Sequence, residues 1–401
     1  MIININALQE TFVRQKDKQK VNVFACLCEN GPVSRKDIIK ELKLRSTTVS
    51  NIVQELIDDG LIVEGKSITR GRPGRPDFGL HFVPEKLVAA TIYVEKYTFV
   101  GTLVDAAGNI LAQQTAAVAP QDANAIVLKK YRKLLDILKK AIPVKSEFLG
   151  LGISAVGTVD TKNRIWVNSD RWPEIKDLNL ADIEKHDGVS VNLQRNLNVE
   201  LEYLLETNPE WCNESSILFH WGYGIGGAYA YQGNILDSPA GRYMDIGHTV
   251  VHSKSKKKCS RCGLYGCLEA EAAIFGLLPL LQKRFPDLQE GSDDIDKILS
   301  KPDLHKLPGI THAIDTVGIS LSNICKLFYP HRIFLVGPFV QNAKILEYLR
   351  QSISKTFYAK MREKLHHVKI IPIPDGFAGC KWGNAYPFFR KRFEELLISK
   401  S

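Results

Sequence analysis

The strongest local constraint on the fold of this chain is a run of three cysteines within nine residues, Cys259, Cys262 and Cys267. Thiolates at this spacing, in a loop that glycines allow to turn tightly, are typical of a closed structural zinc site. His248 is the candidate fourth ligand, and His252 is its rival because both histidines would point to the same face of a strand. Four ligands leave no open position for catalysis. The alternative is a fortuitous cluster of free thiols in a lysine-rich loop.

Composition places the rest of the chain among globular proteins. With 401 residues, 44% hydrophobic and 24% charged, it can bury a sizeable core and suits two or three domains. No apolar run approaches about eighteen residues and the first residues lack signal-peptide features, so we expect a cytoplasmic protein with no membrane contact. Five other cysteines sit among apolar neighbours and are expected in the core rather than in disulfides: Cys26, Cys28, Cys212, Cys325 and Cys380.

The first eighty residues have the pattern of a winged helix-turn-helix. An amphipathic run over residues 21–27 predicts one helix, and Ser34 with Asp37 three residues later predicts a capping box that opens a second over 35–42. A short turn leads to a third helix over 46–56, after which strand-like residues follow. The third helix has one apolar face at helical spacing, formed by Val49, Ile52, Val53 and Leu56.

The opposite face of the third helix carries short donors and acceptors of the kind that bind base edges in the major groove. We expect contacts with double-stranded operator DNA from Arg45, Ser46, Thr47, Thr48, Ser50, Asn51 and Gln54. The alternative is a three-helix interaction module whose polar face is merely solvated.

A Gly-Arg-Pro stretch at residues 69–76 favours DNA binding. Proline and glycine keep the backbone extended and thin, so that Arg70, Arg72 and Arg75 can enter a minor groove or lie along phosphates. The net charge of +9 suits a polyanionic partner but does not by itself identify the partner. The stretch can also serve as a linker, which predicts a DNA-binding domain at 1–80 and a second domain at 81–401. DNA-binding proteins of this fold class read two half-sites with two-fold symmetry, so we expect a homodimer or homotetramer.

The second domain contains two successive sets of strands around a helix. Three strand-like runs, a long helix and a buried strand occupy residues 87–94, 98–104, 110–117, about 123–141 and 148–153. Paired strands, a helix and two more strands follow at 216–221, 226–231, 314–328, 332–337 and 368–373. This repetition predicts an α/β domain of two duplicated halves, with the cleft between them as the natural ligand site.

Together these segments make the chain resemble the ROK family of repressors, open reading frames and sugar kinases. The resemblance covers the winged helix-turn-helix, the Gly-Arg-Pro linker, the family's Gly-Ile-x-x-x-Gly-x-Val-Asp pattern at residues 152–160, and the cysteine loop. The family loop has one residue fewer between its first two cysteines, which changes the geometry but not the ligand set. The resemblance implies a winged helix-turn-helix followed by a duplicated ribonuclease-H-like α/β domain, of the actin and sugar-kinase type, with a zinc loop.

Two losses relative to the family's kinases predict that the chain is not an enzyme. The kinases' Asp-x-Gly-Gly-Thr loop, whose glycines let amides approach ATP phosphates, corresponds to residues 93–98, which contain no glycine. Asn196 stands where the kinases have the aspartate that acts as general base, and an amide cannot take that proton. Asp245 is a milder change, one methylene shorter than the glutamate of the Glu-x-Gly-His sugar motif. The second glycine-rich loop survives at residues 222–227.

The resemblance also implies which residues line the ligand cleft: Arg195, Asn196, Asp245, His248 and Glu269. Compared with the family's Asn-Asp pair, Arg195 adds a positive charge and Asn196 removes a negative one. That change favours an anionic sugar derivative, such as a sugar acid or sugar phosphate, over a neutral hexose. In the alternative, Arg195 pairs with Asp245 or Glu269 and closes a dead pocket.

We therefore expect a sequence-specific transcriptional repressor of carbohydrate-related genes, whose kinase-like domain senses a ligand without catalysis. One alternative is a repressor controlled by a protein partner, with a vestigial pocket. The other is an ATP-dependent sugar kinase with an appended N-terminal module.

Overall fold

The computed structural model describes residues 4–68, 77–238, 241, 243–289, 292, 294–356, 368–374 and 382–399. The helices in these ranges are α1 (Gln15–Asn30), α2 (Arg35–Leu42), α3 (Ser46–Asp58), α4 (Asn124–Lys140), α5 (Ala181–Asp187), α6 (Asn196–Thr207), α7 (Leu268–Ala272), α8 (Ile274–Arg284), α9 (Asp294–Leu299), α10 (Pro308–Phe328), α11 (Ala343–Thr356) and α12 (Tyr386–Leu396). The strands are β1 (Ile62–Ile68), β2 (Asp77–Phe82), β3 (Leu87–Glu95), β4 (Thr98–Asp105), β5 (Ile110–Ala117), β6 (Glu147–Ala155), β7 (Thr158–Asp160), β8 (Ile165–Asn168), β9 (Lys176–Asn179), β10 (Val191–Arg195), β11 (Ser216–Trp221), β12 (Ile225–Tyr231), β13 (Asn234–Leu236), β14 (Arg332–Val336) and β15 (Lys369–Pro372). Within this described part of the chain, every helix is too short or too polar to cross a membrane.

The N-terminal helices and the first hairpin form the predicted winged helix-turn-helix. The Asp37 amide donates to the Ser34 hydroxyl (3.3 Å) and the Ser34 amide donates to the Asp37 carboxylate (3.0 Å), so the expected capping box is present. Lys43, in the left-handed region at φ 53°, turns the chain after α2. As its spacing predicts, α3 buries Val49, Ile52, Val53 and Leu56. Strands β1 and β2 pair antiparallel as the wing.

Two lobes with the same strand order follow. The first sheet runs β10-β6-β3-β4-β5 and the second runs β15-β14-β11-β12-β13. In each sheet, three antiparallel strands continue on one side into two parallel strands. The predicted duplication is therefore confirmed at the level of topology. The predicted helix at 314–328 begins six residues too late, because Pro308 opens α10 at the first turn, where a proline fits.

A third, small sheet of the order β7-β8-β9 was not predicted from the sequence. Its strands are only three or four residues long, too short for a periodicity to show. It lies beside the cleft between the lobes, which Thr158 of β7 and Asn168 of β8 help to line.

The C-terminal helix α12 joins the winged helix-turn-helix to the first lobe. The buried rings of Phe393 in α12 and Phe24 in α1 have centroids 5.5 Å apart. Lys20 of α1 is also buried, pairs with Glu55 of α3 at 2.9 Å and donates to the Ile398 carbonyl at 3.3 Å. One apolar core thus contains residues from both sides of residue 80. The domain limits 1–80 and 81–401 stay a prediction.

Candidate functional site

The predicted DNA-contacting face of α3 is open to solvent. Arg45, just before the helix, is exposed, and Thr48 is half-buried. The other predicted side chains of the helix are exposed: Ser46, Thr47, Ser50, Asn51 and Gln54. The Gln54 amide donates to Asp58 one turn along, at 2.8 Å. Arg70, Arg72 and Arg75 lie outside the described residues. The helix therefore presents its polar side outward and its apolar side to α1 and α2.

The four predicted metal ligands come together in the second lobe. The Sγ atoms of Cys259, Cys262 and Cys267 and one ring nitrogen of His248 all lie within 4.8 Å of one another. The Sγ atoms of Cys262 and Cys267 are 3.9 Å apart. Two sulfurs bound to one tetrahedral zinc, each about 2.3 Å from it, would lie about 3.8 Å apart. His248 Nδ1 is buried with no hydrogen-bond partner among the described residues, as a ligating nitrogen would be. The donor set fits a closed zinc site.

The rival histidine, His252, lies elsewhere. Residues 246–248 form a short 3-10 turn rather than a strand, so the alternation that would put both histidines on one face does not hold. The His252 amide donates to the Gly266 carbonyl at 3.1 Å. Its ring belongs to a separate group with Glu271 and His312. The geometry therefore favours His248 as the fourth member of the cysteine cluster.

All five predicted ligand residues line one cleft of about 510 Å³ between the lobes. Arg195 and Asn196 come from the junction of β10 and α6, whereas Asp245 and His248 lie before the cysteine loop and Glu269 lies in α7. The cleft also receives basic side chains that were not predicted, namely Lys96, Arg171, His220 and Arg261.

Arg195 does not close the cleft by pairing with an acid. Its guanidinium donates to the backbone carbonyls of Tyr243 (2.8 Å) and Gly227. Within the described part of the chain it makes no ion pair with Asp245 or Glu269. Burial lowers the pKa of Arg195, and the charges of Asp237 and Asp245 partly offset that effect. Arg195 therefore holds β12 to the segment before the cysteine loop, and two of its three guanidinium nitrogens are engaged in these bonds.

Glu269 connects the cleft to the cysteine cluster. One carboxylate oxygen accepts from the Ile225 amide at 2.7 Å, and both lie 3.2 Å from Arg261 Nη1. The other oxygen lies 3.8 Å from His248 Nε2. Burial raises the pKa of Glu269, and the Arg261 guanidinium opposes that rise. A Cβ at Gly224 would come within 2.7 Å of this carboxylate and 2.6 Å of Arg261 Nη1, so a larger residue there would have to displace both side chains.

Comparison with known proteins agrees with this architecture. The sequence model of the ROK family matches residues 94–379, and that of the MarR family matches residues 19–73. The chain belongs to the ROK family. The DNA-binding transcriptional repressor Mlc of Escherichia coli is 23% identical to this ROK chain over 335 residues, 81% of this chain and 82% of Mlc. The xylose repressor of Bacillus subtilis is 25% identical over 360 residues, 88% of this chain and 90% of that protein.

Solved structures show the same fold. A ROK family transcriptional regulator described as a homologue of E. coli Mlc superposes with a TM-score of 0.70 at 20% identity, over 96% of this chain and 98% of that one. The ROK hexokinase of Thermus thermophilus gives a TM-score of 0.59 at 20% identity, over 76% of this chain and 99% of that one. The hexokinase therefore matches only part of this ROK chain, whereas the regulator matches nearly all of it.

The β3–β4 hairpin of this ROK chain differs from a phosphate-binding loop. Strands β3 and β4 pair as far as Glu95 and Thr98, which leaves a two-residue turn of Lys96, at φ 52°, and Tyr97. The Lys96 carbonyl accepts from Arg171 Nη1 at 3.0 Å, and Glu95 also lines the cleft. A carboxylate at this turn would repel phosphates, which need amide or cationic donors.

Sequence reasoning missed Arg171, the cation that faces the cleft from the segment between β8 and β9. Its guanidinium lies 5.6 to 5.9 Å from the ring centroids of Tyr97, Trp172 and Tyr223. No described carboxylate forms an ion pair with it. Burial and the Arg171 charge lower the pKa of His220 to about 4, so His220 is neutral at pH 7. The only sequence feature that could have indicated this role was an arginine beside a tryptophan in a short loop, and that feature alone is a weak predictor of a ligand site.

Proposed function

We propose that this ROK chain is a sequence-specific transcriptional repressor of carbohydrate-related genes that binds double-stranded operator DNA. The observation that carries the proposal is the exposed polar face of α3, set on a buried apolar face in a winged helix-turn-helix. Relatives named as repressors match over 81–90% of both chains, which supports it. Two half-sites need two recognition helices, so we also propose a homodimer or homotetramer, in the cytoplasm.

Replacing Asn51 or Thr48 with alanine should reduce the preference for operator over random DNA by about 5- to 150-fold, since a base-edge pairing contributes about 1–3 kcal/mol. The measurement is equilibrium binding of the full chain to an operator fragment selected from random DNA, with unselected DNA as the reference. Asn234→Ala, an exposed asparagine on the distant β13, is the control and should change neither affinity. Unchanged preference in the Thr48→Ala/Asn51→Ala double variant would contradict the proposed interface.

We propose that the cleft binds a sugar-derived effector, and that α6 and α12 connect it to the DNA-binding unit. Helix α6 begins at Asn196 in the cleft. In the same helix, Tyr203 stacks on Tyr386 of α12, with centroids 6.2 Å apart and planes 18° apart. Helix α12 then contacts Phe24 of α1 through Phe393. A ligand that moves α6 would thus act on α1 through packed aromatic rings.

Arg171 supports an anionic effector better than Arg195 does. Arg195 already donates to two carbonyls, whereas Arg171 is a half-buried cation that donates to one carbonyl and that no described carboxylate neutralises. Burial without a counter-ion is costly for a guanidinium, so an acid group bound beside it would be stabilised. We therefore propose that the acid group of a sugar acid or sugar phosphate lies against Arg171, while Asp245 and Glu269 accept hydroxyl hydrogens.

Gluconate and glucose 6-phosphate should bind the wild type about 10- to 150-fold more tightly than glucose, because a hydrogen bond to a charged group contributes about 1.5–3 kcal/mol. The preference should disappear in Arg171→Gln and remain in Arg164→Gln, a partly exposed arginine that pairs with Glu184 outside the cleft. Titration calorimetry measures each affinity. Equal binding of glucose by the wild type would exclude the anionic preference. The same mixtures with ATP and Mg²⁺ should release no ADP.

The absence of kinase activity is proposed from two features of the cleft. Asn196 cannot act as the general base, a loss that typically costs about 10²–10⁴-fold in rate. The two-residue turn at Lys96 and Tyr97 also lacks the glycines of a phosphate loop. Both features would have to be overcome before this cleft could phosphorylate a sugar.

We propose that Cys259, Cys262, Cys267 and His248 hold a structural zinc. The short distances among their donor atoms and the unpartnered His248 Nδ1 support the assignment. The zinc would cross-link the loop to the segment that carries Asp245. His248 Nε2 faces the Glu269 carboxylate, so zinc bound by His248 would hold both side chains in place at the edge of the cleft.

A further inference from the structure

A second group of metal-binding side chains lies outside the cysteine cluster and the cleft. It consists of His252, Glu271 and His312, whose donor atoms all lie within 4.8 Å of one another. The three residues come from different parts of the lobe: the loop before the cysteines, helix α7 and the N-terminal part of α10. Both histidines are exposed, whereas the glutamate is buried. An ion could therefore reach the buried carboxylate from solvent between two imidazoles.

The distances suit a single bound ion. His312 Nε2 lies 3.4 Å from a carboxylate oxygen of Glu271. Two such donors on one tetrahedral zinc, each about 2.1 Å from it, would lie about 3.4 Å apart. The rings of His252 and His312 have centroids 5.9 Å apart and planes at 56°, so they do not stack on each other. The pair needs only a small ring adjustment to bring both nitrogens to one point.

The backbone holds these donors in place. The His252 amide donates to Gly266 at 3.1 Å, and its carbonyl accepts from the Ser255 amide at 3.0 Å. The Glu271 amide donates to the Cys267 carbonyl at 3.1 Å, at the start of α7. The backbone of these donors is therefore ordered before an ion binds, and the ordering cost falls on the two exposed imidazole side chains.

One neighbour competes for the carboxylate. Lys257 Nζ lies 3.3 Å from the Glu271 oxygen that also faces His312, and the Ser255 hydroxyl donates to the other oxygen. The Lys257 side chain is about half exposed, so it can turn into solvent when an ion takes its place. Two imidazoles and one carboxylate are ligands that suit zinc and similar divalent transition ions, rather than calcium or magnesium.

We propose that His252, Glu271 and His312 form a second, solvent-accessible site for a divalent transition ion such as Zn²⁺, which fastens the cysteine loop to α10. The site has three protein ligands and no thiolate, so it binds zinc more weakly than the cysteine cluster. Water completes the coordination.

The test counts bound zinc on the full chain across a series of chelator-buffered free zinc concentrations, by elemental analysis. The wild type should rise from one to two zinc ions per chain. His252→Gln and His312→Gln should lose the second ion and keep the first, because both side chains are exposed and lie outside the cysteine cluster. His186→Gln, an exposed histidine on α5, should bind two.

A second comparison distinguishes binding at the His252, Glu271 and His312 site from nonspecific zinc binding by surface histidines. Lys257→Met removes the competitor of the ion and should shift binding of the second zinc to lower free zinc. Lys256→Met removes the same charge from the neighbouring position and should shift it less. Saturation of the wild type at one zinc, or a second zinc retained in the His252→Gln/His312→Gln double variant, would overturn the proposal. Equal shifts for the two lysine variants would also overturn it.

Discussion

Cys262→Ser is expected to lose about one zinc ion per chain and to lower the free energy of unfolding by more than about 4 kcal/mol. Few single substitutions have so large an effect, and loss of a bound metal is one of the causes. Cys262 is the half-buried member of the cluster, whereas Cys259 and Cys267 are buried. Serine at this position therefore adds little strain of its own, and the effect should come from the lost thiolate. Elemental analysis at low free zinc and thermal unfolding of the full chain measure the two changes.

Controls for this prediction come from the same chain. Cys212→Ser changes a half-buried thiol that donates to the Leu205 carbonyl at 3.5 Å, far from the cluster, and should keep its zinc. His248→Ala should behave like Cys262→Ser, and His252→Ala should retain the tightly bound ion. Zinc retained in His248→Ala but lost in His252→Ala would move the fourth ligand. Full zinc content in Cys262→Ser would remove the site altogether.

Loss of the zinc should also change the positions of side chains at the edge of the cleft. His248 lies between the cluster and Glu269, and Arg261 extends from the loop to the same carboxylate. The loop has two residues between its first two cysteines, Ser260 and Arg261, where the family has one. Arg261 lies over the Phe275 ring with its guanidinium carbon 4.5 Å from the centroid, which fixes its direction toward Glu269. The longer loop thus adds a cation to the edge of the cleft.

Elements that depend on local sequence were predictable. The capping box at Ser34 and the apolar face of α3 follow from spacing alone, since side chains three or four residues apart share a helix face. Eight of the ten strands in the two large sheets were predicted to within two residues at each end, from apolar runs bounded by turn residues, whereas β10 and β13 were not predicted. The order of these runs sufficed to predict the duplicated topology.

Features that depend on contacts distant in sequence were not predictable. Arg195 was expected to face a ligand or an acid, but its partners are carbonyls 32 and 48 residues away along the chain. Arg171 faces the cleft only because β8 and β9 form a small sheet that the sequence did not indicate. The choice between His248 and His252 depended on a turn at 246–248 in place of a strand. Residue types alone carry none of this information.

Helix α12 was also left unassigned by the sequence, and it gives the second large expected effect. Phe393→Ala should destabilise the N-terminal unit by about 3–5 kcal/mol, the usual cost of removing a buried phenylalanine ring. Phe393 is fully buried against Phe24, which in turn contacts Phe82 of the wing with ring centroids 5.4 Å apart. The cavity would open beside α1, in the core that α12 shares with the winged helix-turn-helix.

Hydrogen exchange of the full chain measures this effect by region. In Phe393→Ala, amides of α1, α2 and α3 should exchange faster, while those of β11 and β14 in the second lobe should be unchanged. Phe339→Ala is the matched control, because Phe339 is equally buried but stacks on Trp221 in the second lobe, with centroids 4.5 Å apart. It should speed exchange in β11 and β14 and leave α1 to α3 as they are.

The remaining contacts of the C-terminal segment should confine the effect of Phe393→Ala to the region around the lost ring. The Ser399 amide donates to Asp17 at 2.8 Å, and Lys20 donates to the Ile398 carbonyl at 3.3 Å, so the segment should stay attached when the Phe393 ring is removed. If α12 links the cleft to α1, Phe393→Ala should also weaken the effect of a bound effector on operator affinity, with effector affinity itself unchanged. Normal exchange in α1 to α3, together with full effector response, would show that the ring neither supports nor couples the DNA-binding unit.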